Sequence, residues 1–186
     1  LVLSAPAIVR AQGQTGVALV IGNSKYRWEA SLPNAKRDVV DTAKRFQSLG
    51  LKTELVQDAG RDAMLQAIEK FATVARGANF AAVYFAGHGV SWENRAWLVP
   101  TDVDLSDQGS AKNLISVRVP LTAMKDAAHR LAVYDSCRNN PADGWRQKEA
   151  MTQSIVNEQA ETSFLNQLVG PNALVVFSTS SGRAAL

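Results

Sequence analysis

The stretch "NFAAVYFAGHG" (residues 79–89) is an almost unbroken apolar run that ends in a histidine between two glycines. A short apolar run followed by a turn signal predicts a strand that is buried on both faces of a sheet. In open parallel sheets, ligands bind beyond the carboxyl ends of the strands. The sequence therefore predicts that His88 lies at the edge of the sheet where proteins with open parallel sheets bind their ligands.

Strand-like and helix-like segments alternate along the rest of the chain. Further strands are predicted at "GVALVIGN" (16–23), "LKTELVQD" (51–58), "LAVYDSC" (131–137) and "NALVVFSTSSG" (172–182). Apolar residues recur at helical spacing over residues 34–50, 60–77 and 120–130. We expect Asn34 to cap the first helix and Gly50 to end it. The alternation predicts an α/β fold, a three-layer sandwich with a mainly parallel central sheet flanked by helices.

Length and composition restrict the classes of protein to which the chain can belong. Its 186 residues fit one domain with a sizeable core, and 46% hydrophobic with 20% charged residues is typical of a globular protein. The net charge of +3 is spread without a basic run, which argues against nucleic-acid binding. One cysteine and two histidines form neither an internal disulfide nor a good zinc set.

The N-terminal segment "LVLSAPAIVRAQGQ" starts without Met and is rich in apolar and small residues. Residues 1–11 resemble the tail of an export signal peptide, although a loosely packed N-terminal arm is the alternative. This run is too short to span a bilayer. We therefore expect an exported protein, periplasmic or secreted, with the folded domain at 12–186 and a cytoplasmic location as the alternative.

Cys137, the only cysteine, ends the predicted strand 131–137. A cysteine nucleophile needs a base within reach, because a free thiol with a pKa of about 8.5 is mostly protonated at neutral pH. Neighbouring strands lie about 4.8 Å apart, so the turns after two of them can bring His88 and this thiol together. Gly87 and Gly89 leave backbone N–H groups approachable, as an oxyanion site requires. The alternative for Cys137 is a buried structural thiol.

Six motifs occur in order over about residues 16–183: "VALVIGNSKY", "LPNAKRDV", "VYFAGHG", "LVPTD", "VYDSCRNNP" and "VVFSTSSG". With them the chain resembles the caspase-like cysteine peptidases, and most closely their bacterial metacaspase-type members, the orthocaspases. The resemblance implies that His88 is the general base and Cys137 the nucleophile. It also implies an oxyanion hole formed by the main-chain N–H groups of Gly89 and Cys137. His129, at a predicted helix end before a strand, is expected to be structural or exposed.

Two aspartates bear on which peptide bond would be cut. Asp135 and Cys137 are two residues apart on one strand and therefore point to the same face. The resemblance adds Asp38, in "LPNAKRDV", as the second wall of an acidic pocket for substrate Arg or Lys. Two carboxylates suit a guanidinium, so we expect hydrolysis after Arg or Lys through an acyl-enzyme intermediate. The alternative for both aspartates is an ordinary solvated carboxylate.

Two departures from the family pattern keep a second interpretation open. Ala86 stands where the family often has Ser, and the chain stops at "GRAAL" shortly after the fifth predicted strand. A catalytically weak or inactive caspase-like module that binds or scaffolds partners is therefore the alternative function. The predicted linker 138–170 contains Arg146 and Lys148, which are candidate self-cleavage points for an enzyme of this specificity.

No cofactor is required by the sequence. Some metacaspases need calcium, and Asp102, Asp104 and Asp107 of "PTDVDLSD" are the candidate ligands. Their spacing does not match a recognised calcium loop, so solvated turn carboxylates are the favoured interpretation. A nucleotide-binding domain is disfavoured because "GNSKY" lacks the phosphate-loop and dinucleotide glycine patterns. The expected partners are protein or peptide substrates, and the oligomeric state stays open.

Overall fold

A computed structural model describes residues 16–92, 95–136 and 170–178 of the chain. The elements are β1 (Val17–Gly22), α1 (Pro33–Ser48), β2 (Lys52–Gln57), α2 (Arg61–Ala75), β3 (Phe80–Gly87), β4 (Gly89–Trp92), β5 (Arg95–Leu98), a 3₁₀ helix (Gln108–Asn113), β6 (Ile115–Ser116), α3 (Arg118–Ala123), β7 (His129–Ser136) and β8 (Ala173–Phe177). The predicted export segment at 1–11 lies outside the described residues. So does the predicted linker, with the exception of Gly170.

The central sheet has the strand order β2-β1-β3-β7-β8, and each neighbouring pair is parallel. Its inner strands β1 and β3 form where the sequence is continuously apolar, because both of their faces are covered, whereas the edge strand β2 is only partly buried. Apolar residues of α1 pack on one face, while those of α2 and α3 pack on the other. This arrangement confirms the predicted three-layer α/β sandwich. Within the described ranges, no helix has the length and apolar character needed to cross a bilayer.

Close packing fixes the height of α1 above the sheet. A Cβ atom built on Gly22, at the end of β1, would lie 2.4 Å from a methyl carbon of Val39, which is fully buried on α1. Glycine at this position therefore lets the helix approach the strand directly. The carboxyl end of β1 and the second turn of α1, which carries Asp38, are consequently held close together.

The two ends of α1 illustrate one wrong and one confirmed expectation. Asn34 is not the N-cap, because Pro33 takes the first helical position and Leu32 precedes it without a side-chain cap. Gly50 ends the helix as predicted, in the left-handed region with φ of 85°. Its N–H donates to the carbonyl of Gln47, and the N–H of the next residue donates to Phe46, the pattern of a Schellman motif.

The third helix is shorter than predicted and ends at Ala123. The chain then turns, and the N–H of Ala128 donates to the carbonyl of Ala78, which starts the pairing of β7 with β3. His129 is therefore the exposed first residue of β7, opposite Phe80, and not the end of a helix. It lies at the amino edge of the sheet, whereas His88 follows the carboxyl end of β3.

A second, antiparallel sheet of order β4-β5-β6 follows His88 directly. The sequence did not predict it, because strands of four, four and two residues are too short to show a clear alternation. The N–H of Val99 donates to the carbonyl of His88 over 3.0 Å. This sheet consequently fixes the backbone on the carboxyl side of the histidine.

Candidate active site

The carboxyl ends of β3 and β7 lie side by side. Their last paired residues are Gly87 and Ser136. These two residues directly precede His88 and Cys137 in the sequence. Cys137 itself lies outside the described residues, as do Arg146 and Lys148. The strand pairing thus brings together the two chain segments from which the predicted base and nucleophile follow.

A backbone carbonyl orients the imidazole of His88. The Nε2 atom lies 2.8 Å from the carbonyl oxygen of Ala30, in the loop between β1 and α1. A carbonyl oxygen can only accept a hydrogen bond, so Nε2 carries a proton. In the neutral ring, Nδ1 is then the basic nitrogen. The half-buried His88 is consequently held in the tautomer that can take a proton at Nδ1.

Tyr26 supports His88 from a second direction. Its hydroxyl accepts the backbone N–H of His88 over 2.7 Å, and the two ring centroids are 4.5 Å apart. Burial raises the pKa of Tyr26, and this outweighs the hydrogen bonds with His88 and Asn23, which lower it. The phenol therefore stays protonated near neutral pH. The sequence analysis did not identify this residue, although it is the last residue of the segment "GNSKY" at the end of β1.

Gly87 makes room for this contact. A Cβ atom at this position would lie 2.6 Å from the hydroxyl oxygen of Tyr26 and 2.8 Å from the ring of Phe85. It would also lie 3.2 Å from Cβ of Asn23. The glycine before His88 is therefore needed for the close approach of Tyr26, in addition to any freedom it gives the turn.

The side chain of Asn23 links three loops next to the turn that carries His88. Its fully buried amide donates to the carbonyls of Ala59 and Val99 over 3.2 Å each, and its oxygen accepts the N–H of Ala59 over 3.0 Å. These bonds join the end of β1 to the start of α2 and to the segment after β5. Buried polar groups are costly unless they are satisfied, so this network favours a single arrangement of the three loops.

Asp58 fixes the start of the loop that carries Tyr26 and Ala30. Its Oδ1 atom accepts the N–H and the hydroxyl of Ser24 and the N–H of Lys25, over 2.8 to 2.9 Å. Burial raises the pKa of Asp58, but these hydrogen bonds outweigh it and hold the pKa below its usual value. The backbone φ of 51° is in the left-handed region, which aspartate tolerates better than most residues.

The same loop, residues 23–32, is closed and held at its far side. The N–H of Leu32 donates to the carbonyl of Ser24 over 2.8 Å, which closes the loop. The N–H of Arg27 donates to Thr101 over 2.9 Å. A carboxylate oxygen of Glu29 accepts the N–H of Leu105 over 3.0 Å. The carbonyl of Ala30 is therefore presented to His88 by a loop with several anchors.

The Tyr84 hydroxyl contacts one of the two predicted pocket aspartates and senses the charge of the other. Tyr84, on β3, donates its hydroxyl to Oδ2 of Asp135 over 3.0 Å. Burial and the charge of Asp135 raise the pKa of Tyr84, and the charge of Asp38 on α1 raises it further. Asp38 and Asp135 are both half-buried, and no lysine or arginine of the described ranges forms an ion pair with either. Tyr84 thus makes a hydrogen bond to Asp135 and lies within range of the charge of Asp38 on α1.

The pairing of β4 with β5 sets the direction of the Gly89 N–H group. The bond from Val99 N–H to the carbonyl of His88 makes these two residues a hydrogen-bonded pair of the antiparallel ladder. Pairs alternate along such a ladder, so the next pair, Gly89 with Leu98, is non-hydrogen-bonded. The N–H of Gly89 therefore points away from β5.

The three aspartates considered for calcium serve local hydrogen bonds. Asp102 accepts the N–H of Arg61 over 2.9 Å and so caps the start of α2 from a distant loop. Asp104 accepts the N–H and hydroxyl of Ser106, and Asp107 caps the 3₁₀ helix by accepting from Gly109. Among the described residues, no group of three or more His, Cys, Asp or Glu side chains is placed to hold a metal ion.

Comparison with known proteins identifies the family of the chain. A family model described as the caspase domain matches residues 15–186, so the chain belongs to the caspase domain family. The fold and the family together define a cysteine-type peptidase domain in general terms.

Two curated relatives are similar over part of the chain. One is human mucosa-associated lymphoid tissue lymphoma translocation protein 1, which is 28% identical over 124 residues, or 66% of this chain and 15% of that protein. The other is its mouse homologue, which is 27% identical over 124 residues with the same coverage. The chain thus spans about 15% of the length of the curated relatives that it matches.

Proposed function

We propose that the protein is a cysteine endopeptidase of the metacaspase type that hydrolyses peptide bonds after Arg or Lys, with His88 and Cys137 as its catalytic dyad. The observation that carries the proposal is the 2.8 Å contact between Nε2 of His88 and the carbonyl of Ala30. It leaves Nδ1 as the basic nitrogen, at the end of the strand that pairs with the one leading to Cys137.

The chemistry follows from this assignment. Nδ1 of His88 takes the thiol proton of Cys137, and the thiolate attacks the carbonyl carbon of the scissile bond. The N–H groups of Gly89 and Cys137 stabilise the negative oxygen of the tetrahedral intermediate. The His88 imidazolium then gives its proton to the leaving amine. A water molecule that loses a proton to the same imidazole hydrolyses the thioester and releases the enzyme.

The acidic pair supports the choice of a basic residue at the cleaved bond. Asp38 and Asp135 lie near one hydroxyl, and within the described residues no cation compensates them. A bound guanidinium or ammonium group would satisfy both carboxylates, whereas a substrate aspartate would be repelled. Cleavage after Arg, and then after Lys, is therefore the expected order.

A panel of fluorogenic peptides that differ only in a final Arg, Lys or Asp tests the proposal, with calcium or with a chelator. We expect cleavage after Arg and Lys by the wild type, and loss of at least about a thousandfold in Cys137→Ala and His88→Ala. His129→Ala is the matched control, because this exposed histidine lies at the opposite edge of the sheet and its variant should keep full activity.

Three results would contradict the proposal. Equal activity of wild type and Cys137→Ala would exclude the dyad, and faster turnover of the Asp peptide would exclude the acidic pocket. No cleavage of any peptide, by a protein that still binds partners, would favour the inactive caspase-like module.

A further inference from the structure

Tyr84 lies on the face of the sheet that α1 covers, and its hydroxyl contacts Asp135. It shares this face of β3 with Ala86, because residues two apart on a strand point the same way. Ala86 is directly opposite Asp135 in the register of β3 and β7. The Tyr84 ring packs against the α1 cluster that includes Val39 and Ala86, so its position is fixed by the core.

The Tyr84 hydroxyl has a defined donor direction. A side-chain hydrogen bond from Thr42 lowers the pKa of Tyr84, as expected when the phenolic oxygen accepts. The single phenolic proton goes to Oδ2 of Asp135 over 3.0 Å. Thr42 is four residues after Asp38 on α1, so both lie on the same side of that helix. The Tyr84 hydroxyl therefore contacts Asp135 and is influenced by Thr42 and Asp38 of α1.

The phenol stays a donor in this setting. Burial raises the pKa of Tyr84, and the charges of Asp135 and Asp38 raise it further, so the proton is retained at neutral pH. Ala86, the residue between Tyr84 and His88 on the same face, brings no hydroxyl of its own. In the part of the chain that the structure describes, Tyr84 is the side chain that donates to Asp135.

The bond to Tyr84 uses the Oδ2 atom of Asp135 and restrains rotation of the carboxylate. Oδ1 is then the oxygen that a ligand would meet. A guanidinium has a planar fork of donors that gains from acceptors in fixed directions, whereas an ammonium group is a point charge with rotatable donors. An oriented Asp135 should therefore improve the binding of Arg more than that of Lys.

We propose that Tyr84 is a specificity-determining residue, whose hydroxyl holds the Asp135 carboxylate in the orientation that selects Arg over Lys at the cleaved bond. The inference rests on the proposed function and extends it to a residue outside the dyad and the acidic pair. Thr42 serves as a second probe, because its hydroxyl acts on the same phenol.

The test is to measure kcat and KM of the full-length protein on two peptides that differ only in a final Arg or Lys. For Tyr84→Phe we expect the ratio of kcat/KM for Arg to that for Lys to fall about tenfold, through a higher KM for the Arg peptide. The kcat values should change less than about twofold. Thr42→Val should move the ratio in the same direction by about threefold.

Tyr134→Phe is the matched control. It also removes a buried phenolic hydrogen bond, from Tyr134 to the carbonyl of Val117 over 2.7 Å, but on the opposite face of the sheet. It should lower the thermal midpoint and leave the Arg to Lys ratio unchanged. A fall of the ratio in this variant as large as in Tyr84→Phe would mean general loosening and would overturn the inference.

The possible outcomes distinguish a failure of this inference from a failure of the proposed function on which it rests. A wild type that prefers Arg, with an unchanged ratio in Tyr84→Phe, overturns the role of Tyr84 and leaves the proposed function standing. A wild type that cleaves after neither Arg nor Lys overturns both. If Tyr84→Phe does not fold, Thr42→Val decides, because an unchanged ratio in that variant also contradicts the inference.

Discussion

The Nε2 atom of His88 lies 2.8 Å from the carbonyl oxygen of Ala30, 58 residues earlier in the chain. A backbone acceptor, not an acidic side chain, therefore sets the tautomer of the imidazole. The orientation of the proposed base therefore depends on the loop of residues 23–32 and on every residue that holds this loop in place.

Tyr26→Phe removes the acceptor of the His88 N–H and keeps the ring that contacts the imidazole. We expect kcat/KM to fall about tenfold, because a backbone N–H left without its acceptor costs about 1 to 3 kcal/mol and its residue can shift. Tyr26→Leu also removes the ring contact, so kcat/KM should fall further in this variant. Wild-type kcat/KM in Tyr26→Phe would show that this hydroxyl does not position the base.

Gly87→Ala places a Cβ atom 2.6 Å from the Tyr26 hydroxyl oxygen. Either Tyr26 or the turn before His88 must move, so we expect about 1 to 3 kcal/mol less stability and a large loss of activity. Gly109→Ala is the control, because its new Cβ would meet an oxygen of the Asp107 side chain at 3.1 Å. Urea unfolding of both variants gives the comparison, and equal stability would contradict the tight contact.

Asp58 gives a pH dependence with a definite sign. Hydrogen bonds hold the pKa of its folded-state carboxyl below the ordinary value of 3.8, so the unfolded chain binds the proton more tightly. The stability it contributes is therefore present above about pH 4 and is lost as the pH falls through the lowered pKa.

Asp58→Asn keeps a residue type that tolerates the left-handed backbone and removes only the charge. We expect a loss of about 1 to 2 kcal/mol in the free energy of unfolding at pH 7, and a smaller difference from wild type as the pH falls from 5 towards 2. Asp41→Asn, on the exposed side of α1, should stay within about 0.5 kcal/mol of wild type. A difference for Asp58→Asn that is constant over this pH range would contradict the assignment.

Asp102→Ala distinguishes a helix cap from a calcium ligand. Loss of the bond to the N–H of Arg61 should cost about 1 kcal/mol and lower the thermal midpoint equally in calcium and in chelator. A wild-type midpoint that rises with calcium, with no rise in the variant, would instead identify Asp102 as a ligand.

The inner strands β1 and β3 could be predicted from the sequence because they are buried on both faces and therefore read as apolar runs. The start of β7 and the short strands of the second sheet could not be predicted. His129 and Arg130 are polar and begin a strand, so a pattern of apolar residues assigned them to the preceding helix. The short strands β4 to β6 have too few residues for any period to be visible.

The candidate site was predictable only in part, for a related reason. His88 and Cys137 stand out because they end apolar strands, and the resemblance added Asp38. The supporting contacts of Asn23, Tyr26 and Asp58 join residues that are 33 to 76 positions apart, and no local pattern reports such pairs. Tyr84 was read as one more apolar residue of a strand, although its polar tip lies at the acidic pair.

Covalent labelling of the thiol tests the central claim most directly. The full-length protein is treated with a peptidyl electrophile that ends in Arg, and the adduct is located by mass spectrometry while its rate of formation is followed. We predict one adduct on Cys137, formed at least about a hundredfold more slowly in His88→Ala and at the wild-type rate in His129→Ala. An adduct at another residue, or equal rates in wild type and His88→Ala, would contradict the account.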